Sequence, residues 1–485
     1  MLAHISNNIW VILIAINYLL VILTAFTVLT KNLNPTKTIS YIIVLVFFPF
    51  FGLIVYYLFG QEYRKNKIFN RKHVLNQKII ADVSERLKPD KKEVKDLEED
   101  VLDDKIKLVK LLHSSQNAPL TINNDVKIIK NGENKFKLLL ADLKKAKHHI
   151  HMEYYILRDN KIGMKVIDVL CEKAKEGVKV RLSIDDVGSS ISRKNKRKME
   201  ESGVEWHSFM PVLFPNFTGK MNYRNHRKIV IIDGQIGYIG GINISDTYVN
   251  YDDSDVFWRD THLRITGEAV KSLQIHFLMT WEFVSNEKIE ILVDFFPEDN
   301  CKTCVPMQIA ASGPDTDWAN IMEVLFTAIV TSEKYVYLTT PYFIPNEQII
   351  TALQVASKSG VDVRLLIPKD SDSWTAKHAT NSYIECLLDA DIKVYRYCKG
   401  FIHAKTIVID DVFSTVGTTN MDYRSFNINF EINAIIYNQE NSLELKSHFL
   451  EDLNESEIID KERWMNRPKI EKLKESYCRL WAPLL

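Results

Sequence analysis

The chain lacks an excess of charge of either sign: 62 Lys and Arg balance 62 Asp and Glu. A polyanion such as nucleic acid therefore meets no global attraction, and any anion must be held by local groups. Cysteine is scarce, with six in 485 residues at irregular spacing, which excludes a disulfide-built scaffold. Cys301 and Cys304 form a lone CxxC with no second pair and no nearby histidine pair. It is read as structural, and neither a metal nor another cofactor is expected. What remains, 46% hydrophobic and 26% charged, is ordinary globular material with a length suited to two to four domains.

Charge is also missing locally. Ile9 to Leu29 and Ile39 to Gly60 carry none over 21 and 22 residues. Each run is long enough to cross a hydrocarbon core of ~30 Å as a helix. Residues 1–60 are therefore expected to form a transmembrane helical hairpin with spans at about 9–29 and 39–60, the second kinked at Pro49. Trp10, Tyr18, Tyr56 and Tyr57 stand where interfacial aromatics belong. A cleaved signal peptide fits poorly, because no Lys or Arg precedes the first run and a second run follows at once. Lys31 and Lys37 lie in the short connection, whereas Arg64, Lys65, Lys67, Arg71, Lys72 and Lys78 follow the second run. The larger basic excess places the following chain on the cytoplasmic side of the cell membrane, and the two spans, making the protein multi-pass, return both termini to that side. Residues 61–115 read as a charged, partly helical connector that can rest on anionic headgroups.

From about residue 116 one unit is written twice. Glu176-Gly-Val-Lys-Val-Arg-Leu is echoed by Ser359-Gly-Val-Asp-Val-Arg-Leu, His226-Arg-Lys by His403-Ala-Lys, and His276-Phe-Leu by His448-Phe-Leu. In each copy helical and strand patterns alternate: helices at 135–147, 164–175, 318–331 and 347–357, and strands at 149–157, 178–184, 335–340 and 361–367. The fold class is thus α/β: two mixed-sheet halves, 116–295 and 296–485, sharing one cleft behind the membrane hairpin.

The two copies repeat a polar motif. His226 and Lys228, like His403 and Lys405, are two apart in an apolar strand pattern and share a face. One such pair in a buried strand could be a sheet-edge ion pair. Two at matched places point to function. Asp233 and Asp410 follow their histidines by seven residues, at turns that give them a largely structural aspect. Gly240 and Gly417, then Asn243 and Asn420, follow in step. Glycine allows close backbone approach to a phosphate, and an asparagine amide can donate to one. Glu153, Tyr155 and Tyr342 fall on or just after repeated strands, where core packing and substrate contact are both open. The aromatic stretch Phe209 to Phe217 reads either as a lipid-facing lip or as a simple hydrophobic loop.

The pattern His-x-Lys-x4-Asp-x6-Gly-x2-Asn, present twice, resembles the phospholipase D superfamily from about residue 120 onward. Asn222-Tyr-Arg-Asn-His-Arg-Lys, Trp258-Arg-Asp-Thr-His-Leu-Arg-Ile-Thr-Gly267, Pro341-Tyr-Phe-Ile-Pro345 and Arg479-Leu-Trp-Ala-Pro-Leu-Leu485 are similar to cardiolipin synthases in particular. Gly241 departs from many members, which carry Ser; the second copy has Thr418 there. The resemblance implies a phosphatidyltransferase acting on phosphatidylglycerol in a lipid bilayer, with no nucleic acid and no obligate protein partner. It implies His226 as nucleophile and His403 as acid/base, although the near symmetry allows exchange. Lys228, Lys405, Asn243, Asn420, Gly240, Gly417 and Thr418 would then serve the phosphoryl group, Asp233 and Asp410 would complete the motifs, and Asp260 and Glu431 would orient the histidines. The competing readings are a phospholipase D hydrolase, a phosphatidylserine synthase-like transferase and a non-catalytic scaffold. Two complete His-Lys pairs argue against the last.

Overall fold

The computed structural model describes residues 2–30, 35–59, 105–116, 118–211, 223–289, 292–298, 301, 303–316 and 318–485. Most of the expected connector (61–104) and part of the aromatic stretch (212–217) lie outside them. The chain divides into two compact units, Met1–Tyr63 and Arg64–Leu485.

In the first unit, α1 (Leu2–Thr30) contains neither proline nor glycine and runs unbroken. Its segment Ile9–Thr30 is, among the described residues, the one helix long and apolar enough to cross a membrane. The second expected span is not one helix. It is split into α2 (Pro35–Phe47) and α3 (Pro49–Phe59). Pro49 has no N–H to continue the ladder, and its ring collides with the preceding turn. The two pieces fold against each other: the Tyr41 and Tyr56 rings meet edge to face with centroids 5.7 Å apart. At the crossing a Cβ on Gly52 would come within 2.7 Å of the Val44 carbonyl oxygen, so only glycine permits the approach. Tyr56 is accordingly buried rather than interfacial.

The second unit repeats one topology. The first copy holds β1 (Asn124–Lys130), β2 (His149–Tyr154), β3 (Lys179–Asp185), β4 (Glu205–Phe209), β5 (Lys228–Ile232), β6 (Ile236–Gly240), β7 (Phe257–Arg259) and β8 (Thr261–Gly267). The second holds β9 (Met307–Ser312), β10 (Tyr335–Thr339), β11 (Phe343–Ile344), β12 (Asp362–Pro368), β13 (Lys393–Tyr397), β14 (Gly400–Ile402), β15 (Thr406–Ile409), β16 (Phe413–Gly417), β17 (Met421–Asp422), β18 (Glu431–Tyr437) and β19 (Ser456–Ile458). The sheet orders are β1-β8-β6-β5-β2-β3-β4 and β9-β18-β16-β15-β10-β12-β13-β19, so the second sheet is the first plus one edge strand. In both sheets three strands are parallel and the rest antiparallel. The mixed α/β class expected from the alternating patterns is what forms.

The inner faces of the two sheets share a core. Ile229, Ile239 and Leu263 of the first copy belong to one apolar cluster with Val408, Val416 and Ile432 of the second. Outer faces are covered by helices. In the second copy the apolar face of α4 (Ile106–Gln116), with Leu108, Val109 and Leu112, is buried in that outer core. The last stretch of the expected connector is therefore part of the second half. Two matched helices, α5 (Lys161–Lys175) and α6 (Glu347–Lys358), start at Asn160 and Asn346, whose side chains accept from the third residue on. Both are followed by a left-handed glycine, Gly177 (φ 94°) and Gly360 (φ 96°).

Candidate active site

The histidines stand just outside the sheets. Lys228 opens β5 and Lys405 directly precedes β15, while His226 and His403 lie on extended segments that reach the other half. Asn225 bridges to Phe430, and the His226 N–H donates to the Phe430 carbonyl at 3.0 Å. In the opposite sense β14 pairs with β7, and the His403 N–H donates to the Arg259 carbonyl at 2.7 Å.

This exchange carries the side chains with it. His226 Nδ1 is 2.9 Å from Oε2 of Glu431, a residue of the second half. His403 Nδ1 is 2.7 Å from Oδ2 of Asp260, a residue of the first. A carboxylate can only accept, so each Nδ1 carries the proton and each Nε2 keeps a lone pair. Both carboxylates are buried.

Burial sets the charge states. It pushes His226 down to about 4 and His403 down to about 3, the neighbouring lysines adding to the effect and the paired carboxylates opposing it. Both imidazoles are neutral at pH 7. Burial also draws Lys228 down to about 7 and Lys405 down to about 8, while Glu431 and Asp260 pull back up. Burial alone would raise the Glu431 carboxyl, but His226 and Lys228 hold it below the usual range. Lys405 acts on His226 and Lys228 on His403, so the four groups lie within one electrostatic neighbourhood. Each lysine Nζ donates to the carbonyl of its own histidine, at 2.6 Å for Lys228 and 2.5 Å for Lys405.

Other expected residues are engaged elsewhere. Asp233 accepts the N–H groups of Lys147, His148 and His149 at 2.8 to 2.9 Å, and Asp410 those of Glu333, Lys334 and Tyr335 at 2.8 to 3.1 Å. Both adopt left-handed turns (φ 54° and 55°) at the end of the motif strand remote from the histidine. They tie that turn to the start of β2 or β10, in keeping with the structural aspect their place at a turn suggests. Lys105, just before α4, adds a buried ion pair to Asp410 at 3.3 Å.

The glycines and the threonine are likewise engaged. A Cβ on Gly240 would sit 2.6 Å from His262 Cα, and one on Gly417 would sit 2.1 Å from Asn433 Oδ1. Both glycines allow close packing between neighbouring strands. Thr418 Oγ1 donates to Glu431 Oε2 at 2.6 Å and accepts from the Ile432 N–H at 2.9 Å, so its hydroxyl positions the carboxylate. Gly241 occupies the matching place beside Asp260, whose Oδ1 would be 2.2 Å from a Cβ there. Asn243 accepts from the Ile156 N–H and donates to the Tyr248 hydroxyl at 2.6 Å, while Asn420 is held near Asp422.

Tyr155 lies edge-on to His226 with centroids 5.0 Å apart. The Tyr342 hydroxyl donates to Asp372 at 2.7 Å. Glu153 accepts from the Asn225 amide at 2.5 Å. Phe209 is fully buried against Phe430, so the start of the aromatic stretch is core and not a lip. The sequence reading missed four neighbours. Tyr248 and Trp258 face His403 with centroids 5.4 and 5.5 Å away. Arg224 and Arg227 are buried on either side of His226 in the chain, Arg224 against Asp185. The arginines were legible as two cations flanking a buried histidine. Tyr248 gives no signal of its own.

Two imidazoles, each with Nδ1 fixed by a carboxylate and flanked by a lysine, can divide the work on a phosphodiester: one attacks through its Nε2 lone pair, and the other protonates the leaving oxygen once its own Nε2 has taken up a proton. Comparison with known proteins points the same way. The family model described as "Cardiolipin synthase, PLD-like domain" matches residues 139–281 and 325–453, and one described as Phospholipase D-nuclease N-terminal matches 19–61. Cardiolipin synthase 2 of Bacillus anthracis is 41% identical over 465 residues, covering 94% of this chain and 88% of that protein. The cardiolipin synthase of Staphylococcus aureus is 37% identical over 479 residues, covering 96% and 95%. In fold, a phosphatidylserine synthase of Haemophilus influenzae superposes with a TM-score of 0.60 at 11% identity, over 78% of this chain and all of that one. With one family model spanning more than half of its length and these relatives matching almost end to end, the chain belongs to the cardiolipin synthase family of phospholipase D-like enzymes.

Proposed function

We propose that this phosphatidyltransferase joins two phosphatidylglycerol molecules into cardiolipin and glycerol at the paired histidines. The observation that carries the reading is the reciprocal hydrogen bonding of His226 to Glu431 and of His403 to Asp260. It leaves two neutral imidazoles with fixed tautomers in one buried site that also holds two lysines.

His226 Nε2 attacks phosphorus as the P–O bond to the glycerol headgroup breaks. His403, in its protonated form, gives its Nε2 proton to the departing alkoxide, and neutral glycerol leaves. The terminal hydroxyl of a second phosphatidylglycerol then returns a proton to His403 and attacks the phosphatidyl-histidine, and the P–N bond to His226 breaks. Lys228 and Lys405 offset the charge that builds on the phosphoryl oxygens. The incoming anion itself raises the affinity of His403 and both lysines for protons. The buried Arg224 and Arg227 beside His226 favour the anionic phosphatidyl group on that side. Asp260, Glu431 and Thr418 are positioning residues. The halves 116–295 and 296–485 act as one catalytic unit, with residues 105–116 completing the second.

A diacyl lipid remains in the bilayer, so anchoring the enzyme there raises encounter. The basic run Arg64 to Lys78 places the catalytic unit on the cytoplasmic face.

The test gives the purified full chain phosphatidylglycerol in vesicles and quantifies cardiolipin, phosphatidic acid and glycerol. Cardiolipin and glycerol in equal amounts, both lost in His226→Ala and in His403→Ala, are expected. Phosphatidic acid as the sole lipid product would make the enzyme a hydrolase instead.

A further inference from the structure

The second apolar run is long enough to cross a membrane, yet its fold does not suit crossing. As one helix, residues 35–59 would reach ~37 Å. Split at Phe48, α2 and α3 reach about 20 and 16 Å, about two thirds and about half of a hydrocarbon core of ~30 Å. They fold back on each other at Gly52 and through the Tyr41–Tyr56 contact, and both pack on α1.

The turn between them is apolar. Phe47, Phe48, Phe50 and Phe51 are all more than half exposed on the protein surface. A turn facing water carries polar residues; one built of phenylalanine and proline belongs in hydrocarbon. Its backbone suits that place as well. The Phe48 N–H is bonded to the Val44 carbonyl at 3.0 Å, the Gly52 N–H to the Phe48 carbonyl at 2.5 Å, and Pro49 has no N–H to leave unpaired.

Charge gives an independent argument. Lys31 precedes α2, Lys37 stands in its first turn, and Arg64, Lys65 and Lys67 follow α3, whereas residues 1–8 hold no Lys or Arg. Two crossings would strand Lys31 and Lys37 on the outer side. A pair that enters and leaves by the same leaflet keeps every one of these cations on the cytoplasmic side.

We infer that the chain crosses the bilayer once, through α1, and that α2 and α3 form a re-entrant hairpin immersed in the cytoplasmic leaflet with its phenylalanine tip deepest. The amino terminus then lies outside. This inference rests on the membrane attachment proposed above and is independent of the chemistry.

The test is sidedness in intact cells with a membrane-impermeant maleimide, the labelled peptide being identified by mass. Ser6→Cys and Thr30→Cys mark the two ends of α1, and native Cys398, which is exposed, marks the catalytic unit. The expected result is that Ser6→Cys labels in intact cells, while Thr30→Cys and Cys398 label only after permeabilisation. Thr30→Cys on the opposite side from Cys398 would mean two crossings and overturn the inference; so would Ser6→Cys on the same side as Thr30→Cys. Thr30→Cys and Cys398 both labelled from outside, with Ser6→Cys protected, would keep the hairpin and overturn the cytoplasmic placement instead. A second measurement reads the fold directly in vesicles. Tyr41→Cys with Tyr56→Cys should join through a short bifunctional reagent; one straight helix would hold them ~22 Å apart and give no cross-link.

Discussion

Glu431 Oε2 is shared by two donors, His226 Nδ1 at 2.9 Å and Thr418 Oγ1 at 2.6 Å, so the carboxylate of one half is locked by a residue of its own half while it holds the histidine of the other. An amide in its place would present a donor or a neutral acceptor and release the tautomer. Glu431→Gln should lower kcat by about 10²- to 10⁴-fold with little change in KM. Asp260→Asn should do the same for His403, but with a difference in rapid-quench experiments. Phosphatidyl-enzyme should accumulate when the acid/base partner is weakened and fail to form when the nucleophile is. Accumulation in Glu431→Gln rather than Asp260→Asn would exchange the two roles.

The Gly241–Asp260 contact is the counterpart of Thr418–Glu431 with the hydroxyl missing. A methyl group at 241 must push the Asp260 carboxylate away, whereas a serine can answer the crowding with a hydrogen bond. Gly241→Ala is expected to lose about tenfold in kcat, and Gly241→Ser to retain more than Gly241→Ala. Equal losses would show that the site has no use for a second hydroxyl.

The pH profile follows from the shifted groups. The nucleophile works when neutral and His403 when protonated; burial brings them to about 4 and about 3 in the free enzyme, so kcat/KM already declines with rising pH above about 4. The lysines work when charged, so kcat/KM falls more steeply as pH passes about 7 to 8. Bound phosphate favours the charged lysines, which places the alkaline limb of kcat above that of kcat/KM. Lys228→Arg, which stays charged, should move the alkaline limb upward even if it slows turnover. An unmoved limb would assign that titration to another group.

The motif aspartates should report on stability. Asp233→Asn weakens three backbone contacts at a turn and is expected to cost about 1 kcal/mol. Asp410→Asn does the same and also leaves the buried Lys105 without its counter-charge, so a loss of about 3 kcal/mol is expected. Thermal unfolding of the full chain in detergent would rank them. Turnover per folded molecule should change little in either, and a collapse of kcat in Asp233→Asn would return that residue to the catalytic set.

The repeat, the alternation of helix and strand and the two histidine–lysine pairs could be read from the chain because they are local in sequence and written twice. The partnership of Asp260 with His403 could not, since nothing local in a chain shows which half a side chain leans into. The break at Pro49 was visible as a kink. That it closes into a fold-back depends on Gly52 meeting Val44, a contact between residues eight apart that no hydropathy pattern encodes. Tyr248 was invisible because its place beside His403 is set by a three-residue 3-10 turn following the Asn243 loop.

The reciprocal exchange has the geometry of a two-fold dimer written into one polypeptide. Two identical subunits could form the same crossed pairs, but every substitution would then appear at both ends of the site. Joining the copies in a single gene frees the ends to diverge, as Gly241 beside one carboxylate and Thr418 beside the other already have. One polypeptide therefore carries two ends of a site that a substitution can change one at a time.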